Sequence, residues 1–185
     1  MTNPARKKAT YQDLLAVPSP LVAEIIHGTL ITMPRPRIRH ARASTQLTGE
    51  LHGFGSRRGG PGGWVLLDEP ELHLGDDILV PDLAAWRRER LPEIPDEPYF
   101  TLAPDWVCEV LSPSTEAIDR ADKLPIYAEH HVSNVWLLDP EPQTLEVFRL
   151  DGKTYRLIHT AKADERVRAE LFGAIELDLS ILWER

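Results

Sequence analysis

One stretch constrains this chain more than any other: Trp106-Val-Cys-Glu-Val-Leu111, five apolar residues around a single carboxylate, Glu109. A strand with one wet face alternates apolar with polar residues, so an almost wholly apolar run reads as a central β-strand covered on both sides. The frame is therefore a sheet with a layer against each face. Glu109 has to be buried inside it. An ionised carboxylate taken out of water costs several kcal/mol unless something neutralises it, so this residue requires a partner.

The surrounding pattern supplies the rest of a mixed β-sheet flanked by helices, an α/β (α+β) arrangement. With 185 residues, 42% of them apolar, the chain can bury one sizeable core. A single domain over residues 1–185 is expected, with a short basic tail over about residues 1–9. Thr10 is a plausible N-cap for a helix over Tyr11–Ala16, and Val17-Pro-Ser-Pro20 ends it. Val22–Ile26 and Thr29–Met33 read as a hairpin about His27-Gly28, and apolar residues at 43, 47, 51 and 54 predict a helix from about His40 to Phe54. Gly55–Gly63 is a loop. Trp64–Leu67, Glu71–Leu74 and Ile78–Trp86 read as strands, and Leu91–Pro104 as a connection. Ser112-Pro-Ser-Thr115 stops the central strand and offers capping hydroxyls to a helix over about Glu116–His130, which Pro125 is expected to bend. Val135–Leu138 is a second apolar strand. Leu145–Leu150 and Thr154–His159 flank the turn pair Asp151-Gly152, and Ala174–Leu179 reads as an edge strand.

Several function classes are excluded or weakened. No apolar run approaches the roughly 18 to 20 residues of a membrane span, and the start lacks the apolar centre of a secretory signal. Cys108 is the only cysteine, so no internal disulfide framework can form, and a reducing cytoplasm is expected. The seven histidines include no HExxH, Gly59-Gly-Pro-Gly-Gly63 lacks the ending of a nucleotide-binding loop, and no Gly-x-Ser-x-Gly elbow is present.

The net charge of −8 argues by itself against a polyanionic partner, but its distribution reverses the argument. Residues 1–60 hold nine Lys or Arg against three Asp or Glu, a net +6, which leaves −14 for residues 61–185. The basic residues concentrate in Arg35, Arg37, Arg39, His40 and Arg42, with Arg57 and Arg58 further on. They form either a phosphate-holding face or a solvated turn and helix surface. His40, at the helix start, either touches substrate or is simply exposed.

Asp82 follows Val80-Pro81 in the strand expected beside that of Glu109. Alternation puts Asp82 on the face of Val80 and Ala84, and Glu109 on that of Val107 and Leu111, so the two acids meet if those faces coincide. Paired carboxylates in an apolar setting need protonation, a Lys or Arg, or a cation. Mg²⁺ answers the need economically, because it takes few carboxylates, a carbonyl and several waters. An ion pair with Arg120 or Lys123 is the structural alternative. Glu116, Arg120, Lys123 and Tyr127 are spaced to share one helical face, from which Lys123 could neutralise a reacting phosphate or orient the attacking water.

Pro81-Asp82 followed by Glu109 resembles the PD-(D/E)XK nuclease signature, except that Leu111 stands where that motif ends in Lys. The wider ordered set is more particular: Glu24-Ile-Ile-His-Gly28, Val80-Pro-Asp82, Glu109-Val-Leu-Ser-Pro-Ser-Thr115, Asp122-Lys123 with Tyr127, and Val135-Trp-Leu-Leu-Asp-Pro140. It resembles the Uma-type restriction endonucleases, small bacterial proteins, from about Tyr11 to Leu179. The resemblance implies a restriction-endonuclease-like core in which Asp82, Glu109 and the Val110 carbonyl bind Mg²⁺, with Mn²⁺ as a substitute. It also implies that the lysine has migrated to the following helix as Lys123. Glu24 matches an early family glutamate and is either a further carboxylate near the metal or a strand-edge charge. Tyr127 matches too, as a packing residue or a hydrogen-bond donor to the site. His130-His131 departs from the small or Gly-containing turn expected before the next strand.

Three readings follow. The leading one is a Mg²⁺-dependent endonuclease acting on DNA, its backbone held by Arg35, Arg37, Arg39, Arg42, Arg57 and Arg58, and acting as a homodimer so as to reach both strands. A catalytically inactive nuclease-fold module that binds DNA or protein is the alternative. Hydrolysis of a smaller phosphate ester would need the metal but not the arginines.

Overall fold

The computed structural model describes residues 7–55 and 60–184. Arg57 and Arg58, and the basic tail before Lys7, lie outside them. In chain order the elements are α1 (Tyr11–Leu15), β1 (Leu21–Ile26), β2 (Thr29–Pro34), α2 (Ile38–Gly55), β3 (Trp64–Asp68), β4 (Leu72–Leu74), β5 (Asp77–Leu79), β6 (Leu83–Arg87) and β7 (Trp106–Val110). A helical segment follows in three parts: α3 (Glu116–Ile118), a widened π turn (Asp119–Lys123) and α4 (Leu124–Glu129). Then come β8 (Asn134–Asp139), β9 (Thr144–Asp151), β10 (Thr154–Lys162), β11 (Arg166–Val167), β12 (Leu177–Asp178) and α5 (Ser180–Trp183).

The main sheet has six strands in the order β10-β9-β8-β7-β6-β3, mixed because β7 and β8 run parallel while the other neighbours are antiparallel. The parallel pair is possible because the segment α3–π–α4 carries the chain back over the sheet. The apolar run is indeed the strand with neighbours on both edges and layers on both faces: every residue of β7 is buried. Its side chains alternate. Trp106, Cys108 and Val110 join the cluster with Ala43, Leu47, Leu51 and Phe54 of α2, while Val107 and Leu111 join Ile126 and Tyr127 of α4 and Leu72 and Leu79 of a smaller sheet. That smaller sheet has the order β2-β1-β5-β4.

Local sequence explains the elements that position the site. Thr10 caps α1 with a capping box to Asp13, as its hydroxyl and the acid three residues on allow. The β1–β2 hairpin turns on His27 and Gly28 at φ of 50° and 72°, the two positive values that a two-residue I′ turn demands. The β9–β10 turn centres one residue later than the pair Asp151-Gly152, because Asp151 pairs with Thr154 across it and Gly152, at φ 67°, takes the first central place. His131 adopts φ 59° after α4, meeting with a histidine the left-handed position for which a small residue was expected. Among the described residues no helix is long and apolar enough to cross a membrane.

Two expectations are corrected. Ile78–Trp86 is not one strand; it breaks between β5 and β6 at Val80-Pro81-Asp82. Pro81 has no N–H for a ladder, and the Val80 N–H donates instead to Glu24 Oε1 at 2.7 Å. Glu116–His130 is not one regular helix either. Its irregularity is the π turn, which ends at Lys123, with Pro125 in the first turn of α4 behind it.

Candidate active site

The break at Pro81 delivers Asp82 to the start of β6, where its Oδ2 accepts the Val110 N–H at 2.7 Å. Asp82 is thereby pinned to the end of β7, one residue past Glu109. Its other oxygen, Oδ1, lies 3.3 Å from His40 Nε2 on the first turn of α2. The side chains of Asp82 and Glu109 line one cavity of about 380 Å³, together with Val110, His40, Asp119 and Lys123. The two faces, left open by alternation, coincide: Ala84, two residues after Asp82, joins the same cluster as Val107 and Leu111.

Lys123 sits at the centre of the acids. Its Nζ is 3.0 Å from Glu24 Oε1, 3.2 Å from Asp119 Oδ1 and 3.4 Å from Glu109 Oε1, and its side chain is 4% exposed. Tyr127 donates its hydroxyl to Glu109 Oε1 at 2.6 Å. In an α-helix, steps of four residues advance about 40° beyond a full turn, so 119, 123 and 127 would fan out across the surface. The π turn corrects this. The Leu124 N–H donates to the Asp119 carbonyl five residues back, and Asp119, Lys123 and Tyr127 are all buried in line. Glu116 and Arg120, expected on the same face, turn outward and pair with each other at 3.0 Å. Asp119 is thus the site residue that sequence reasoning missed, although its four-residue distance from Lys123 was the available signal.

Glu24 is no strand-edge charge. It lies in β1, paired on both sides, and is fully buried. Its Oε1 serves Val80 and Lys123, while Oε2 is buried without a hydrogen-bond partner. His40 is not simply exposed; its side chain is 12% accessible and lines the cavity. Arg35 and Arg37 stand at the cavity wall, Arg35 also 3.5 Å from Glu69. A second hollow of about 580 Å³ shares Arg35, Arg37, His40 and Ser112 with the first and adds Arg39, so the two form a continuous groove. Arg42 points elsewhere, bound to Glu184 at 3.1 Å.

The electrostatics follow from burial. Desolvation pushes the Glu109 carboxyl well above its ordinary range, reinforced by the charges of Asp119, Asp82 and Glu24 and opposed by Lys123. Glu24 and Asp119 are raised for the same first reason. Burial alone would lower the Lys123 amine, but Glu109, Glu24 and Asp119 outweigh it and hold the amine well above its usual value. His40 is also raised, because the hydrogen bond and charge of Asp82 overcome its desolvation. Three acids, Glu24, Glu109 and Asp119, thus face one ammonium, with Asp82 beside them in the same cavity.

This donor set fits a hard divalent cation. Its atoms are carboxylate and carbonyl oxygens, its negative charge exceeds what Lys123 can cancel, and one oxygen, Glu24 Oε2, is buried unpartnered. Among the described residues no group of three His, Cys, Asp or Glu forms a ready-made metal cluster. Mg²⁺ needs none, because it is held by one or two carboxylates and keeps several waters.

A family model described as "Putative restriction endonuclease", Uma2, matches residues 9–180. Among solved structures, the fold is similar to that of "a putative nuclease belonging to DUF820" from Anabaena variabilis ATCC 29413, with a TM-score of 0.73 and 24% identity over 95% of this chain and 97% of that one. No curated protein matches the chain.

Proposed function

We propose, because the chain belongs to the Uma2 restriction-endonuclease family, that it is a Mg²⁺-dependent endonuclease hydrolysing phosphodiester bonds of DNA. The observation that carries this reading is the meeting of Asp82 and Glu109, from separate strands, with the helix-borne Lys123 in one cavity walled by Arg35 and Arg37. Asp82, Glu109 and the Val110 carbonyl would hold the cation, and Mn²⁺ would substitute for Mg²⁺. Bound there, it supplies Lewis-acid polarisation of a phosphoryl oxygen and neutralises developing charge.

The chain's own residues do the rest. The Val110 N–H and His40 orient Asp82, and Tyr127 orients Glu109. Lys123 brings positive charge to the phosphate as water adds to phosphorus and the 3′ oxygen departs, a role that needs a positioned cation rather than a proton acceptor. Glu24 Oε1 holds Lys123, and its unpartnered Oε2 would be free to offer the cation one further carboxylate oxygen. Arg35, Arg37 and Arg39 along the groove hold phosphates without reading bases. Cutting both strands of a duplex requires two such sites, hence a symmetric homodimer.

A second reading, a module that binds DNA without cutting it, is favoured by one observation: the Lys123 amine already lies 3.0, 3.2 and 3.4 Å from three acids. Plasmid nicking separates the two. The nuclease nicks supercoiled plasmid in Mg²⁺ or Mn²⁺, chelator stops it, and Asp82→Ala or Glu109→Ala abolishes it with DNA binding retained. Binding without nicking at any divalent concentration would leave only the module.

A further inference from the structure

We propose that Asp119 is the positioning residue of Lys123, held in line with it by the widened turn Asp119–Lys123. The inference rests on the nuclease reading. An ammonium has three donors and no acceptor, and the three contacts of Lys123 are not equivalent. Glu24 is fixed from a second side by the Val80 N–H, and it is the nearest partner, at 3.0 Å. Asp119 rises from the same helical segment as Lys123, 3% exposed, with Oδ1 at 3.2 Å. Glu109 is the farthest, at 3.4 Å, and is also the acid with a second duty, shared with Tyr127 and with the proposed cation. Two anchors therefore remain for the amine when Glu109 is drawn to the cation: one on β1 and one on its own helix.

Two fixed points direct the third N–H into the cleft, towards the carboxylate wall where the phosphate would sit. A single anchor would not. The lysine stem is a flexible four-carbon chain, so with Glu24 alone the amine can swing about that contact. In a regular helix Asp119 and Lys123 would still be neighbours, but 119 would stand about 80° round from Tyr127; the π turn keeps all three buried in line. Local π turns inside helices occur frequently at functional sites, and this one has a stated task.

The test uses the full chain and two readouts. The first needs neither metal nor DNA: ¹⁵N-labelled lysine side chains are observed by NMR in the metal-free protein. A protected ammonium signal is expected, lost in Lys123→Met, broadened or shifted in Asp119→Asn, and shifted but retained in Asp119→Glu, which serves if Asp119→Asn fails to fold. A Lys123 signal unmoved by both substitutions would overturn the proposal. The second readout is single-turnover nicking in Mg²⁺. Asp119→Asn should slow the rate on the order of 100-fold with the half-saturating DNA concentration unchanged, Asp119→Glu should fall between, and Asp119→Asn should add nothing on a Lys123→Met background. Equal losses on both backgrounds would mean that Asp119 acts without Lys123, and would also overturn it. If the wild-type protein does not nick DNA, the nuclease reading fails by itself, and the NMR comparison still decides whether Asp119 places the amine.

Discussion

Replacing Lys123 by methionine removes the cation that Glu24, Glu109 and Asp119 face at 3.0, 3.4 and 3.2 Å, all of them nearly inaccessible to water. Methionine keeps the volume, so packing changes little and the effect isolates charge. Removing one partner of a buried pair costs about 3–5 kcal/mol, because the remaining charge stays desolvated. For a chain of this size that is a fall in Tm of roughly 6–20 °C, at 2–4 °C per kcal/mol. The carboxylates have an escape, which gives the prediction its pH dependence. Each has a folded-state pKa above its ordinary 3.8 or 4.5, and the Lys123 charge is what restrains the rise. Without that charge they rise further and hold protons that the unfolded chain has already released. A raised carboxyl contributes stability below its unfolded pKa and loses it as pH climbs through the folded value. The variant should therefore nearly match the wild type near pH 4 and fall progressively behind towards pH 8. Lys123 itself, raised above 10.5, stays charged throughout that window. Urea unfolding of both proteins in chelator, at several pH values, measures the gap, and Mg²⁺ at pH 8 should narrow it by supplying charge that the amine no longer brings. A loss of equal size at pH 4 and pH 8 would refute the electrostatic account and leave packing as the cause.

Two further outcomes test other parts of the site. His40→Ala removes the contact to Asp82 Oδ1 and should weaken Mn²⁺ binding, followed by calorimetry, by about 10–100-fold, the usual effect of losing a residue that orients a metal ligand; unchanged affinity would separate His40 from Asp82. Arg35→Ala with Arg37→Ala should weaken DNA binding and flatten its salt dependence, the slope of log K against log salt falling by about 2 if each arginine meets one phosphate of duplex DNA. An unaltered slope would place the DNA elsewhere than the groove they line.

The strand of Glu109, the β1–β2 hairpin, the capped α1 and most of α2 were legible because each is written in local periods or turn chemistry: two residues for a strand, three or four for a helix face, a positive φ for a turn. The pairing of Asp82 with Glu109 was half legible: alternation gave each acid its face within its own strand, and the register that sets Leu83 opposite Cys108 and Ala84 opposite Val107 decided that the faces coincide. The break at Val80-Pro81-Asp82 was not, because it depends on Glu24, 56 residues away in the chain, offering an oxygen to the Val80 N–H. Nor was the choice of Asp119: regular spacing offers Lys123 both Asp119 and Arg120 as neighbours, and only the folded chain turns the first inward and the second outward.

The sequence by itself determined the frame and the acids: a mixed sheet around one apolar strand, and a carboxylate in that strand that could not stand alone. Only the tertiary structure decided how that charge is met, because a buried ion's partners come from wherever the chain returns. Here they come from the π turn, as Lys123, and from α4, as Tyr127, 14 and 18 residues further along the chain. Local patterns record which face a side chain takes; the distances among Glu24, His40, Asp119 and Lys123 are properties of the folded whole.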